Sequence, residues 1–78
     1  MGKPILYYWP PCPTCAIATS FAAENGIELD LRDVEMESPY NELLALGGDA
    51  NKIPCLYDGD SLFEGLDAVK KRLATLVQ

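Results

Sequence analysis

The chain has 78 residues, enough for one small domain and near the lower size at which a single hydrophobic core holds a fold. Hydrophobic residues make up 49% and charged residues 23%, a composition typical of a globular domain. Twelve acidic and six basic residues give a net charge of −6, which argues against nucleic-acid binding because phosphate contacts need clustered Lys and Arg. We therefore expect a single domain over residues 1–78 with a solvated acidic surface.

The N-terminal segment predicts neither export nor membrane insertion. Only about five apolar residues follow Lys3 before Pro10, whereas a secretory signal needs roughly 7–15 and a spanning helix about 20. We expect a cytoplasmic protein, and in that compartment disulfides are usually transient and catalytic. The odd number of cysteines, three, also argues against a purely structural disulfide framework.

The first half of the chain predicts a strand, a helix and a second strand. Residues 4–9 are apolar throughout, which indicates a central strand buried on both faces. A helix then begins at Cys12 and is closed by Asn25 and Gly26. Alternating apolar and polar residues over 27–34 predict a half-buried strand at a sheet edge. The three elements form one βαβ unit, so the two strands should be parallel.

The next segment predicts a short helix and a hairpin. Ser38 is the expected cap of the helix, with Pro39 in its first turn. The apolar side of this helix comprises Leu43, Leu44 and Leu46. After a polar loop over residues 49–52, strands at 55–57 and 61–64 flank an Asp-Gly turn, which is a strong hairpin signal.

The last helix is expected from about residue 66 to Leu76. Its core side comprises Leu66, Val69, Leu73 and Leu76. Its water-facing side comprises Lys70, Lys71 and Arg72. The resulting order is β-α-β-α-β-β-α. It predicts an α/β fold with a four-stranded mixed sheet and helices packed on both faces.

Cys12 and Cys15 are the candidate catalytic residues, because a Cys-x-x-Cys at a strand-to-helix junction indicates a redox pair. Cys12 falls at the helix N-cap, where unpaired N–H groups and the helix dipole favour the thiolate and lower its pKa below about 8.5. Cys15, one turn further, should be more shielded and less acidic. Cys12 would attack a substrate disulfide, and Cys15 would then displace the product from the mixed disulfide.

Three further features lie at the ends of predicted elements. They are Cys12-Pro13-Thr14-Cys15 after an apolar strand, Ile53-Pro54 before a hairpin, and Gly65 with Asp67 at the last helix. Together they resemble a glutaredoxin-like member of the thioredoxin-fold superfamily over essentially the whole chain. The resemblance implies a thioredoxin-like fold of the glutaredoxin type and a thiol–disulfide oxidoreductase. It also implies that the Ile53–Pro54 bond is cis and that the backbone of Ile53 pairs with a substrate segment.

The resemblance implies a substrate site around Cys12. The residues expected to contact substrate are Trp9, Pro13, Thr14, Lys52, Ile53, Pro54, Gly65, Leu66 and Asp67. Backbone N–H groups at the last helix would bind the γ-glutamyl carboxylate of glutathione, the candidate co-substrate. Trp9 stands where many members of the family have a basic residue, and Glu64 where they have a glycine. Because of these two differences, a thioredoxin-reductase-type flavoprotein remains an alternative electron donor.

Expected partners are proteins that carry a disulfide, together with one of these two donors. We expect a monomer without a tightly bound cofactor, a metal, a nucleic acid or a membrane.

Cys55, directly after Pro54, has two interpretations. One is a small buried residue that begins a strand. The other places its sulfur near Cys12 and Cys15, as an additional redox thiol or a third metal ligand. The alternative function is thus a metal or iron–sulfur cluster-binding module that uses these three cysteines. Such sites normally take four ligands and the chain has no histidine, so a dimer or bound glutathione would have to complete the shell.

Overall fold

A computed structural model of the chain describes residues 3–77. Met1, Gly2 and Gln78, which the expected domain over residues 1–78 includes, lie outside the described residues. The elements are β1 (Ile5–Tyr8), α1 (Pro13–Glu24), β2 (Asp30–Asp33), α2 (Glu37–Ala45), a 3₁₀ turn (Ala50–Lys52), β3 (Cys55–Tyr57), β4 (Leu62–Glu64) and α3 (Leu66–Thr75). The predicted order is confirmed. Over residues 3–77 no helix is both long enough and apolar enough to span a bilayer.

The four strands form one mixed sheet in the order β2-β1-β3-β4. β1 is parallel to β2 and antiparallel to β3, and β3 is antiparallel to β4. The apolar strand β1 is therefore central and the alternating strand β2 is at an edge, as predicted. The βαβ unit supplies the parallel pair, the hairpin supplies the antiparallel pair of β3 and β4, and β3 joins the two units through its antiparallel pairing with β1.

Each face of the sheet carries its own hydrophobic core, because successive side chains of a strand point to opposite faces. Leu6 pairs with Leu56, and both are fully buried against α1 and α3. The next pair, Tyr7 and Cys55, points to the other face, where Leu43 of α2 covers it. Helices on both faces are thereby confirmed.

β2 is shorter than the 27–34 predicted. Asp30 is the partner of Ile5, the first residue of β1, so residues 27–29 lie beyond the end of the strand with which they would pair. Ile27 and Leu29 still pack against the core as loop residues. Leu31 is 48% exposed, because an edge strand has no neighbour on its outer side to cover its side chains.

α2 begins at Glu37 with Met36 at the N-cap, so the prediction of Ser38 as the cap is wrong. The backbone turns before the serine is reached, since the N–H of Met36 donates to the carbonyl of Asp33 at 3.0 Å. Leu43 is buried but Leu44 is exposed, which corrects the predicted apolar side. Adjacent helical positions point about 100° apart, and the sheet covers only one of the two.

Arg72 does not simply face water, as predicted, but connects α3 to the hairpin. Its guanidinium lies 3.0 Å from the carboxylate of Asp58 and 5.8 Å from the ring centre of Phe63. The reason is that α3 packs along β4, so the long side chain of Arg72 extends over the strand toward the turn. Lys70 and Lys71 are exposed, as expected.

Leu56→Ala tests the core on the α1 and α3 face. Leu56 is fully buried in a central strand, so its truncation should lower the free energy of unfolding by about 2–5 kcal/mol. Leu31→Ala is the matched control, because the same truncation at a half-exposed edge position should cost about 0.5 kcal/mol. Denaturant unfolding measures both, and equal losses would contradict this arrangement of the core.

Candidate active site

Cys12 and Cys15 lie at the N-terminus of α1, which follows the central strand β1. Pro10 and Pro11 end the strand, and the N–H of Cys12 donates to the carbonyl of Trp9 at 2.9 Å. Cys12 is the N-cap residue, with extended φ and ψ of −74° and 120°. Pro13 takes the first helical position, where a fixed φ is suitable and a missing N–H is no loss. The sequence thus starts the helix at the first thiol.

The sulfur of Cys12 accepts hydrogen bonds from the first turn of its own helix. The backbone N–H of Cys15 donates to it at 3.4 Å, and the hydroxyl of Thr14 lies 3.1 Å away. Partial burial raises the pKa of the Cys12 thiol, but hydrogen bonds from Thr14 and Cys15 together outweigh burial and leave that pKa below its ordinary value. The lowered pKa of Cys12 agrees with the expectation for a thiol at the N-terminus of a helix. The Thr14 hydroxyl is a contributor that no sequence pattern indicated.

Cys15 lies one turn deeper and is 1% exposed. Burial away from water is the main cause that raises the pKa of its thiol to about 12, and the hydrogen bond it gives to Cys12 adds to the effect. All three cysteines are free thiols in this structure. Cys12 is therefore the more acidic of the two thiols, and Cys15 is the less acidic one.

The loop before β3 is joined to the start of α3. The Ile53–Pro54 bond is cis, which confirms the expectation from the resemblance. The N–H of Gly65 donates to the carbonyls of Lys52 and Pro54 at 3.0 and 2.9 Å. Gly65 has a φ of +89°, a conformation that side-chain-bearing residues rarely adopt. The structure thus brings the predicted loop residues beside the predicted helix start.

The remaining predicted substrate residues differ in exposure. Pro54 is buried, Ile53 and Leu66 are half-buried, and Lys52 and Asp67 are exposed. Trp9 is 40% exposed, and its indole N–H donates to the carboxylate of Glu35. This bond holds the indole at the surface. The backbone carbonyl of Trp9 accepts the N–H of Cys12. No sequence pattern indicated the bond to Glu35, since the two residues are 26 positions apart.

Cys55 is fully buried on the α2 face of the sheet, against Tyr7 and Leu43. The interpretation as a small buried residue that begins a strand is confirmed. Burial is the main cause that raises the pKa of its thiol to about 12, followed by the nearby charges of Glu64 and Cys15. Within residues 3–77 the structure brings together no three Cys, Asp or Glu side chains that could hold a metal. A cluster of Cys12, Cys15 and Cys55 is thus not formed.

Glu64 places a negative charge beside this loop. It pairs with Cys55 across the hairpin and directly precedes Gly65. One of its carboxylate oxygens is buried without a hydrogen-bond partner among the described residues. A carboxylate oxygen in such a position has no donor among these residues to offset its charge, which makes the site unfavourable for further negative charge.

Comparison with known proteins agrees with the fold and with the site. A family model described as Glutaredoxin matches residues 5–63. Among solved structures, the chain is similar to the solution structure of glutaredoxin from Brucella melitensis, with 26% identity and a TM-score of 0.71. That similarity covers 99% of this chain and 89% of the other. No curated protein matches the chain.

Thr14→Val tests the hydrogen bonds at Cys12. Loss of the hydroxyl removes a donor to the thiolate, so the pKa of the Cys12 thiol should rise. Below that pKa, each unit of increase should lower the alkylation rate of Cys12 about tenfold, because only the thiolate reacts. Iodoacetamide alkylation across a pH series, with the Cys12 peptide followed by mass spectrometry, measures the shift. Thr14→Ser keeps the hydroxyl and should retain the original profile; a valine variant with that same profile would rule out the role of Thr14.

Proposed function

The chain belongs to the glutaredoxin family, and from this premise we propose that it reduces disulfides by dithiol exchange through Cys12 and Cys15. The observation that carries the proposal is the contrast between the two thiols within one helical turn. The pKa of Cys12 is lowered and that of Cys15 is raised to about 12. A partly exposed nucleophile thereby stands next to a protonated thiol that can complete the exchange.

The first step uses the thiolate of Cys12. It attacks one sulfur of the substrate disulfide, a Cys12–substrate disulfide forms, and the other substrate sulfur leaves as a thiolate. That leaving thiolate takes up a proton. The step breaks one S–S bond and forms another: the leaving substrate sulfur is reduced to the thiol level, and Cys12 is oxidised to the disulfide level.

The second step uses the thiol of Cys15. Its pKa is raised partly by its hydrogen bond to Cys12 and by the charge of Cys12. Both causes weaken once Cys12 is in a mixed disulfide, so the first step makes Cys15 easier to ionise. The Cys15 thiolate then attacks the sulfur of Cys12, and the second substrate sulfur leaves and is protonated. Two electrons have passed to the substrate, and the Cys12–Cys15 disulfide needs an external two-electron reductant.

Cys15→Ser should trap the intermediate. Cys12 can still attack, but nothing displaces the product, so a covalent adduct with a disulfide-containing target protein should accumulate through Cys12. Cys12→Ser should give neither adduct nor turnover. Intact-mass spectrometry with and without a reductant measures the adduct. Cys55→Ala is the control and should retain turnover, since Cys55 is buried on the other face; an adduct that forms through Cys15 or Cys55 would reject the assigned order.

The electron donor is part of the proposal. Glutaredoxins in general take electrons from glutathione, and the alternative is a thioredoxin-reductase-type flavoprotein. Both suit the cytoplasmic setting expected from the sequence, and neither requires a tightly bound cofactor. Glu64 bears on the choice, because its carboxylate lies beside the loop and helix start where the anionic tripeptide is expected to bind. Lys52, exposed on the same loop, is a cation that opposes this effect.

Glu64→Gln should therefore improve glutathione as a donor. Removal of this negative charge, a repulsion of about 1 kcal/mol, should lower the KM for glutathione by about fivefold. NADPH consumption with glutathione and its reductase, and separately with thioredoxin reductase, measures the effect on each route. Asp60→Asn removes the same charge in the hairpin turn and should leave both routes unchanged. An equal response in the two variants would assign the effect to net charge rather than to Glu64.

A further inference from the structure

α2 and its N-cap residue carry three exposed apolar side chains along one side. Met36, Tyr40 and Leu44 are 61%, 41% and 46% exposed. Their spacing of four residues places them in line on the helix. They are not needed for the core, because Leu43 covers the sheet. On nearly the opposite side of the helix, Glu42 pairs with an arginine of β2.

The N-terminal end of this line lies at the edge of the sheet that carries the active site, because the parallel strands β1 and β2 end at the same edge. Met36 directly follows Glu35, whose carboxylate accepts the indole N–H of Trp9. Trp9 is itself half-exposed, and its carbonyl accepts the N–H of Cys12. The four side chains Trp9, Met36, Tyr40 and Leu44 are called the α2 stripe below. Its members are all exposed apolar side chains, and a group of such side chains marks an interaction site more often than a single one does.

The segment that carries most of the stripe is strongly acidic. Residues 33–51 contain five carboxylates and no Lys or Arg. The carboxylates are Asp33, Glu35, Glu37, Glu42 and Asp49. Within the part of the chain that the structure describes, Glu42 is the one member that forms an ion pair, with Arg32. The others leave an excess of negative charge around an apolar line.

The charge decides between occupants. A second copy of this chain would bring the same acidic segment against itself, and like charges across an interface disfavour association. A partner surface with an apolar centre and a rim of Lys and Arg would complement both the stripe and its charge.

We propose that the α2 stripe docks proteins whose exchanging disulfide lies beside an apolar patch bordered by Lys and Arg. The inference rests on the proposed function, since docking serves to present a partner sulfur to Cys12. Binding along α2 turns an encounter between two free molecules into a local one and raises the effective concentration of the disulfide. It thereby selects among partners through KM, while the chemistry at Cys12 stays the same.

The test compares two disulfide-linked peptides that are identical except for their charges, one with Leu and Lys beside the disulfide and one with Leu and Glu. The chain has a single tryptophan, Trp9, so indole fluorescence reports peptide binding independently of turnover. The Lys peptide should bind and be reduced with a KM about tenfold lower than the Glu peptide, a ratio that shrinks as salt is raised. Equal KM values for the two peptides would overturn the proposal.

Met36→Ser/Tyr40→Ser/Leu44→Ser should raise the KM for the Lys peptide about tenfold while its kcat stays within twofold, roughly the loss expected for three exposed contacts. Leu31→Ser/Val77→Ser is the matched control, because these side chains are 48% and 42% exposed but lie outside the stripe. Glu37→Gln keeps the apolar line and should reduce the preference for Lys over Glu. The docking proposal is overturned if the triple variant and the control behave alike.

Hydroxyethyl disulfide, which is too small to reach α2, distinguishes a failure of docking from a failure of the proposed function. Turnover of this disulfide with no difference between the peptides rejects docking and leaves the proposed function standing. Absence of turnover with all three disulfides rejects the proposed function, and the docking proposal falls with it.

Discussion

The hydrogen bond from the backbone of Cys15 to the sulfur of Cys12 is the point at which the fold and the chemistry depend on each other. A helix N-cap needs an acceptor for its unpaired N–H groups, and Ser, Thr, Asp or Asn usually supplies it. Here a sulfur does so. A thiolate accepts hydrogen bonds more strongly than a neutral thiol, so the start of α1 favours the ionised form of the residue that caps it. Helix capping and nucleophile activation are therefore one interaction.

The close packing of α1 on the sheet sets the second property of the site. Ala18 and Ala22 are the buried residues of this helix besides Cys15, and their small side chains allow the helix to lie near β1 and β3. That proximity excludes water from Cys15 and keeps its proton in place. A bulkier contact would lift the helix and admit water. The order proposed for the two exchange steps thus rests on residues that take no part in the reaction.

The features that were predictable from the sequence are those with local signals. The central strand, the helix start at Cys12 and Pro13, and the order of elements each rest on neighbouring residues. The cis bond at Pro54 followed from the family resemblance and not from any pattern of spacing. The residue at which β2 begins could not be predicted, because it depends on where the parallel strand β1 begins. The face taken by Cys55 depends on the register between strands that are distant in the sequence.

Side-chain contacts across elements form the second class that local patterns do not reveal. Arg72 matched the polar side of a helix, and only the position of the hairpin shows why it turns toward Asp58. Trp9 and Glu35 come together because β1 and β2 are parallel, which brings their following turns to the same edge of the sheet. The α2 stripe was not predictable either, because it depends on how the whole helix is oriented. The sequence places Leu43 and Leu44 on one apolar side, and that orientation decides which of the two the sheet covers.

The chain has a net charge of −6, and negative charge close to Cys12 would disfavour its thiolate. The acidic surface and the donors at Cys12 oppose each other only if both act over the same distance. Burial and contacts from Thr14 and Cys15, all within one turn, govern the pKa of Cys12. Backbone and hydroxyl donors at hydrogen-bond distance act through little solvent, whereas surface carboxylates are screened over a Debye length of about 8–10 Å. The acidic segment can therefore determine which partners approach without raising the pKa of the nucleophile. Short-range donors set the reactivity, and longer-range charge is left free to set the selectivity.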